Sequence, residues 1–330
     1  MENINLISNV IKQHTVPRFL LDNFGFSAKG KRKQLYTFDK KSEREYQQSV
    51  FDATTRNRFY NIDNHPEKES LEPLLEIYES KAAPIINKLI EQRSIKVLTS
   101  EEKQKLAIFV AIQRARSSGE LERIKDMCDV LSNKLSVNGA TSAQILKALE
   151  MSSINETQHV FLRLVADAPT QAKLLLNKDW YLYETKEDEL FYISDNPITF
   201  HNLNKNSLYG NIGLNVIGIQ IHMPISSTLC LAILCPSIRE QYIEKHKNYL
   251  EIKRKGIRIS SELESAIRHA RKFINKTTMK QTHENVKFLN SLQVAYSEQY
   301  IFSQNNRFDL VKEMINNDDK YKNGFRAMFS

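Results

Sequence analysis

Four groups of residues in this chain are of types that do chemistry. The first is a lone imidazole, His14, in the run His14-Thr-Val-Pro17-Arg-Phe-Leu-Leu21-Asp-Asn23-Phe24. Imidazole titrates near neutrality and serves as general acid, general base or metal ligand, but a single His beside a helix also serves as a structural hydrogen-bonding group. The second is Glu72 and Glu79, seven residues apart and therefore two turns along one helix face, with Glu76 close by. Such a face is either a carboxylate site or the solvent side of an amphipathic helix. The third is Gln113, Arg114 and Arg116, which follow a very apolar stretch. They are suited to holding an anion or orienting a carboxylate, and equally to pairing with Glu72 and Glu79. The fourth is Ser194-Asp195-Asn196-Pro197 after an apolar run. Proline pushes Asn196 to extended geometry, and Ser, Asp and Asn side chains bond the local backbone, which is reason enough for a turn. A polar strand end also suits a metal ligand or base, and Asp195 is the candidate.

These residues need elements to position them. Val16–Leu21 reads as a short helix with Pro17 in its first turn. Strands are predicted over Gln34–Phe38 and Tyr46–Phe51, with the basic Lys29–Lys33 turn facing solvent. From Glu69 to Gln92 apolar residues recur at three- and four-residue spacing, a helix that Pro84 is expected to kink or break. Thr99-Ser-Glu-Glu102 is a start signal for a central buried helix running to about Leu135. Thr141–Met151 and Asn155–Ala166 read as further helices, and Pro169 opens another. Trp180–Tyr183 and Leu190–Ile193 read as a hairpin. Val216–Met223 and Thr228–Leu234 read as strands joined by a turn at Pro224-Ile-Ser-Ser. Helices follow over Ser237–Lys276 and Gln281–Leu292, then a strand at Val294–Phe302 and a helix at Asp309–Ile315. Helices, then antiparallel strands, then helices point to an α+β fold, predominantly helical, with a central antiparallel sheet from about 179 to 234.

Composition narrows the function classes. With 9 Gly and 8 Pro in 330 residues, long linkers and Gly-rich phosphate loops are disfavoured; neither GxGxxG nor GxxxxGK[ST] occurs. There is no HExxH, no paired Cys/His spacing and no GxSxG, which sets aside the common zinc proteases, zinc fingers and α/β-hydrolases. His65, beside Asp63, and His201 and His222 have no such pattern around them. No apolar run approaches the length of a membrane helix, and the N-terminus does not read as a secretion signal. Cys128, Cys230 and Cys235 form no CxxC pair and read as free thiols in a reducing, cytoplasmic setting. The net charge of +8 is concentrated at Lys29–Lys33 and between Lys245 and Lys280, either a solvated surface or a site for an anionic partner.

These motifs together resemble the family catalogued as domain of unknown function 4238. The His-x-Val-Pro-x-x-x-Leu-x-x-Phe element stands at His14–Phe24, and the two spaced acids are Glu72 and Glu79. The Gln/Arg element is Gln113-Arg-Ala-Arg116, and the Ser-Asp-Asn-Pro turn is Ser194–Pro197. A Pro-Ile-Ser element is Pro224–Ser226, and the late Asn is Asn290. Where the family often has Pro after the Gln/Arg element, Ser117-Ser118-Gly119 stands here. The resemblance spans nearly the whole chain and implies one family domain. Its sub-regions are 1–66 (N-terminal motif and short strands), 67–178 (helical), 179–235 (antiparallel strands) and 236–330 (basic helices with a late strand).

The resemblance implies a shared site. His14, Glu72, Glu79 and Asp195 are expected to converge where the helices meet the mouth of the sheet, with His14, Glu79 and Asp195 holding Mg²⁺ or Mn²⁺. Gln113, Arg114, Arg116, Asn196 and Asn290 are expected to contact substrate. The basic helices of residues 245–280 are expected to track DNA or RNA. This describes a nuclease-like phosphodiesterase, an effector in bacterial antiviral defence. A metal-free version has His14 as acid–base and Asp195 orienting it. Two other readings stand beside it. One is a non-catalytic nucleic-acid- or protein-binding module in which Glu79–Arg116 and His14–Asp195 are buried pairs. The other is a small-molecule hydrolase or transferase using the same pocket.

Overall fold

A computed structural model describes residues 5–28, 30, 32–62, 69–138, 141, 144, 157–204, 212–256, 260–324 and 326. The chain is α+β. Strand β1 (Lys12–His14) leads into the short helix α1 (Arg18–Leu21), then β2 (Gln34–Asp39), β3 (Arg44–Ser49) and β4 (Thr55–Asn57). Helices α2 (Glu72–Gln92), α3 (Ser100–Ala115), α4 (Ser118–Val137), α5 (Thr157–Asp167) and α6 (Ala172–Leu176) follow. Next come β5 (Asp179–Glu184), β6 (Ile193–Ser194), β7 (Thr199–His201), β8 (Gln220–Ser226) and β9 (Leu229–Leu234). Helices α7 (Pro236–Arg254) and α8 (Ser261–Asn275), strand β10 (Met279–Lys280), helix α9 (His283–Tyr296), strand β11 (Tyr300–Ser303) and helix α10 (Asp309–Asn317) close the order.

Strand pairing departs from the predicted hairpin. Trp180–Tyr183 are buried across their whole length, so the strand needs neighbours on both edges. It finds β9 antiparallel on one side and β10 parallel on the other, in a sheet ordered β10-β5-β9-β8-β7. Ile193–Ser194 belong to a different sheet, β3-β2-β11-β6, against β11. The turn expected at Pro224 lies later, after Ser226. Pro224 sits in β8 beside a register shift, where its missing N–H interrupts no regular ladder.

Helix boundaries follow local chemistry. Helix α2 passes through Pro84 without a break. The proline removes one hydrogen bond, but Ala82, Ile85, Ile86 and Leu89 pack into the main core and hold both halves. The long central helix is instead two helices. Arg116 ends the first, Ser117 turns extended (ψ 155°), and its hydroxyl accepts from the Glu120 N–H to cap α4. This is how Ser117-Ser118-Gly119 manages the exit where the family has Pro. The basic 237–276 helix also divides: Gly256, at φ +71°, takes the left-handed conformation that closes α7. Most of the 141–151 helix, the start of the 155–166 helix, Lys29, Lys31, Asp63 and His65 lie outside the described residues. Among the described residues no helix is long and apolar enough to cross a membrane.

Candidate active site

Three of the four site residues expected to converge do so. His14, Glu72 and Glu79 line one open cleft of about 400 Å³ with Arg18, Asp22 and Glu76. The carboxylates come from α2, where Glu72, Glu76 and Glu79 share a face. His14 comes from the end of β1, which is fixed by pairing His14 opposite Thr55 in β4. Arg18 and Asp22 come from the helical turn after Pro17, four residues apart and so on one side of it.

The imidazole has a defined tautomer. His14 Nδ1 lies 3.1 Å from the Ala53 carbonyl oxygen. A carbonyl only accepts, so Nδ1 carries the proton and Nε2 keeps a free lone pair. Burial lowers the His14 pKa below its ordinary 6.5, against the Ala53 bond and the field of Glu79. Glu72 is displaced the other way. Burial, with repulsion from Glu79 and Glu76, raises it to about 7 against the attraction of Arg116. Among the described residues its buried Oε2 has no hydrogen-bond partner. Free side chains lose their protons in the order carboxyl, then imidazole. Here that order is reversed, so near neutrality a neutral imidazole shares the cleft with a carboxyl that is still partly protonated.

Beneath the cleft lies Arg116, 1% exposed. Its Nη1 donates to Glu79 Oε1, its Nη2 to the His14 carbonyl and its Nε to Tyr60 Oη at 3.2 Å, while the Tyr60 hydroxyl donates to the Arg116 carbonyl at 2.8 Å. One turn earlier, Gln113 Nε2 donates to the Thr15 carbonyl at 3.0 Å. The Gln/Arg element therefore grips the His14–Thr15 backbone and aims Glu79. Both residues are buried and neither lines the cleft, although Gln113 Oε1 has no partner among the described residues; the expectation that they contact substrate is corrected, because they position the groups that line the cleft.

Asp195 is not in the cleft. It is buried in the β2–β11–β6 region, where its carboxylate accepts the N–H groups of Glu298 (2.8 Å), Gln299 (2.8 Å) and Tyr300 (3.0 Å). The field of the buried Lys40 ammonium also reaches it. Asp195 therefore neither pairs with His14 nor shares its cleft. Asp195→Ala is expected to cost about 3 kcal/mol in urea unfolding, because three buried amides lose their acceptor. It should leave the His14 titration unchanged; a shifted His14 pKa would contradict this placement.

Asn290 is likewise structural. It accepts from Tyr192 N–H at 2.8 Å and donates to the Leu190 carbonyl at 2.9 Å, tying α9 to the segment before β6. Asn23 donates to the Ile225 carbonyl at 3.0 Å, which joins the first motif to the Pro-Ile-Ser element. Arg114 and Asn196 do meet, but in a separate cavity.

The cleft's donor set does not fit the expected Mg²⁺ or Mn²⁺ centre. Asp195 is elsewhere, and Glu79 Oε1 is taken by Arg116. Among the described residues no group of three or more His, Cys, Asp or Glu is placed to hold a metal ion.

Sequence reasoning missed Arg18, Asp22 and Tyr60. The first two carried a signal, since their four-residue spacing follows His14 directly. Tyr60 lies in a short connection with no periodicity to mark it.

The fold and cleft define an α+β protein in which a buried arginine supports an imidazole and a set of carboxyls. Residues 12–307 match the family described as "Protein of unknown function (DUF4238)", and the chain belongs to that family. No curated protein and no solved structure matches the chain.

Proposed function

We propose that this protein is a metal-independent hydrolase of small molecules, with His14 as general base and Glu72 as general acid. The observation that carries the reading is that one cleft holds His14, oriented by its Nδ1 contact to the Ala53 carbonyl, and Glu72, whose burial favours its protonated form. His14 Nε2 takes a proton from water as it attacks; Glu72 donates its proton to the leaving group. Arg116 holds the His14 backbone and pairs with Glu79, and that carboxylate favours the imidazolium formed in the reaction.

The cleft also speaks to substrate. Glu76, Glu79 and Asp22 against Arg18 give its lining an acidic balance, which disfavours a phosphodiester at the reacting position. Arg18 and Asp22 also border a depression with Arg32, Lys33 and Phe51. The guanidinium of Arg32 lies 4.5 Å over the Phe51 ring. A substrate with an uncharged scissile linkage and an anionic group for this shelf suits both ends.

Nucleic acid is a second reading on a separate observation. Residues 236–276 carry 11 Lys and Arg against 5 Glu, most of the chain's net charge. A phosphate backbone would bind that surface with steep salt dependence. Free thiols at Cys128, Cys230 and Cys235 accord with a reducing, cytoplasmic setting.

The test is a panel of chromogenic esters, amides, glycosides and phosphodiesters, with labelled DNA and RNA beside them, each run in EDTA and with added Mg²⁺ or Mn²⁺. Hydrolysis of an uncharged linkage, lost in both His14→Gln and Glu72→Gln, is the expected result. Cleavage only of nucleic acid, only with added metal and indifferent to both substitutions, would overturn the hydrolase reading in favour of a nuclease elsewhere on the chain.

A further inference from the structure

Arg114 and Asn196 take no part in the acid–base cleft. They line a second, more enclosed cavity of about 60 Å³ at the start of α4. The sequence had marked both residues in two separate motifs, and the fold brings them to one place.

Arg114 is poorly paired for a largely buried cation. Its Nη1 donates to Gln171 Oε1 at 3.3 Å, and its guanidinium sits 5.4 Å over the Phe200 ring. Among the described residues no carboxylate forms an ion pair with it. The one acid in the cavity wall, Glu120, is held by Arg123 through both carboxylate oxygens. Burial lowers the Arg114 pKa, with the Glu120 field opposing. A third cation, Arg326, is paired with Asp126 and Glu298, yet its buried Nη1 has no partner among the described residues.

Two backbone features add donors and room. Gly119 lies in the first turn of the 20-residue helix α4, where amides have no intrahelical acceptor, and among the described residues nothing accepts its N–H. A Cβ at Gly119 would stand 3.3 Å from Asn196 Nδ2. Glycine thus lets the helix start approach the Ser-Asp-Asn-Pro turn, whose Asn196 is anchored by a 3.1 Å bond to the Tyr296 carbonyl.

We propose that this cavity binds a small tetrahedral oxyanion, the group that a phosphate presents, with Arg114 as its principal donor. Arg123 and Arg326 are matched by carboxylates and Arg114 is not; its unclaimed guanidinium edge, the Arg326 Nη1 and the α4 amide supply the donors such an anion requires. Phe200 and Tyr296 form the apolar wall. The site is separate from the acid–base cleft and does not depend on the hydrolase reading.

The test is calorimetric titration of the full chain with inorganic phosphate and with phenyl phosphate, at constant ionic strength set with chloride. Acetate serves as a planar oxyanion. Saturable binding of inorganic phosphate is expected, weakened at least about tenfold in Arg114→Gln and less in Arg123→Gln. Arg123 is partly exposed, so its variant guards against misfolding at Arg114. Arg268→Gln, on the basic surface, should bind as wild type does. Phenyl phosphate binding as tightly identifies a phosphate ester as the ligand; its exclusion identifies the free ion. Three results would overturn the proposal: no saturable heat with phosphate, equal binding in a folded Arg114→Gln, or acetate binding tighter than phosphate.

Discussion

Glu72→Gln is expected to stop turnover and, above neutrality, to make the protein more stable. The loss of activity should be roughly 10²- to 10⁴-fold, the ordinary contribution of a general acid. The gain in stability follows from linkage. Unfolded, Glu72 ionises at its ordinary 4.5; folded, it holds its proton until about 7. Between those values the unfolded chain has released a proton that the folded chain retains, so rising pH favours unfolding. The penalty is small at pH 4.5, grows through the window and is complete above about 7. A full displacement of this size is worth about 3 kcal/mol, and partial solvent access at the cleft reduces it to about 2 kcal/mol. Glutamine does not titrate and escapes the penalty. In urea unfolding, Glu72→Gln should exceed wild type by about 2 kcal/mol at pH 8 and nearly match it at pH 4.5. The His14 contribution is common to both proteins and cancels. A variant less stable than wild type at both pH values would show that Glu72 is an architectural carboxylate. Gain of stability with loss of function is the signature expected of a strained catalytic group.

Arg116→Met should be the most destabilising change in the cleft. It removes a buried charge and leaves Glu79 Oε1, the His14 carbonyl and the Tyr60 hydroxyl without the guanidinium that serves all three. Breaking one member of such a buried network typically costs about 3–5 kcal/mol. Arg116→Lys restores the charge but not the three-way fork, and should still cost about 2 kcal/mol. The double variant Arg116→Met, Glu79→Met should recover part of the loss, because no buried carboxylate is then left unpaired. Urea unfolding of wild type, Arg116→Met, Glu79→Met and the double variant closes a double-mutant cycle. A loss below about 1 kcal/mol for Arg116→Met would mean that Arg116 does not organise the site.

The residues differ in how far their roles could be read without coordinates. The helix face bearing Glu72 and Glu79 was legible because periodicity alone puts them together. So was the option of pairing Glu79 with Arg116, since a guanidinium leaving an apolar helix needs an acid near it. The place of Asp195 was not legible. Its partners are backbone amides at 298–300, about a hundred residues on, and amides carry no mark in a sequence. The false hairpin has a similar origin. Trp180–Tyr183 and Leu190–Ile193 look alike as apolar runs, and local pattern does not say which strand of which sheet each will join. The break at Arg116–Ser117 was visible as Ser-Ser-Gly but was outweighed by the apolar run before it. Separating Arg114 from Arg116 also needed coordinates. Two residues apart on a helix, they face different directions, one toward the acid–base cleft and the other toward the second cavity.

The reversed protonation order is tested most directly by following Glu72 and His14 together through a pH titration by carbon- and nitrogen-detected NMR. The side-chain signals are assigned by comparison with Glu72→Gln and His14→Gln. The account predicts a Glu72 midpoint near 7 and a His14 midpoint below 6.5, with the His14 proton on Nδ1. A Glu72 midpoint near 4.5 with His14 at or above 6.5 would restore the ordinary order, leave Glu72 without a proton to donate at neutrality, and contradict the acid–base reading.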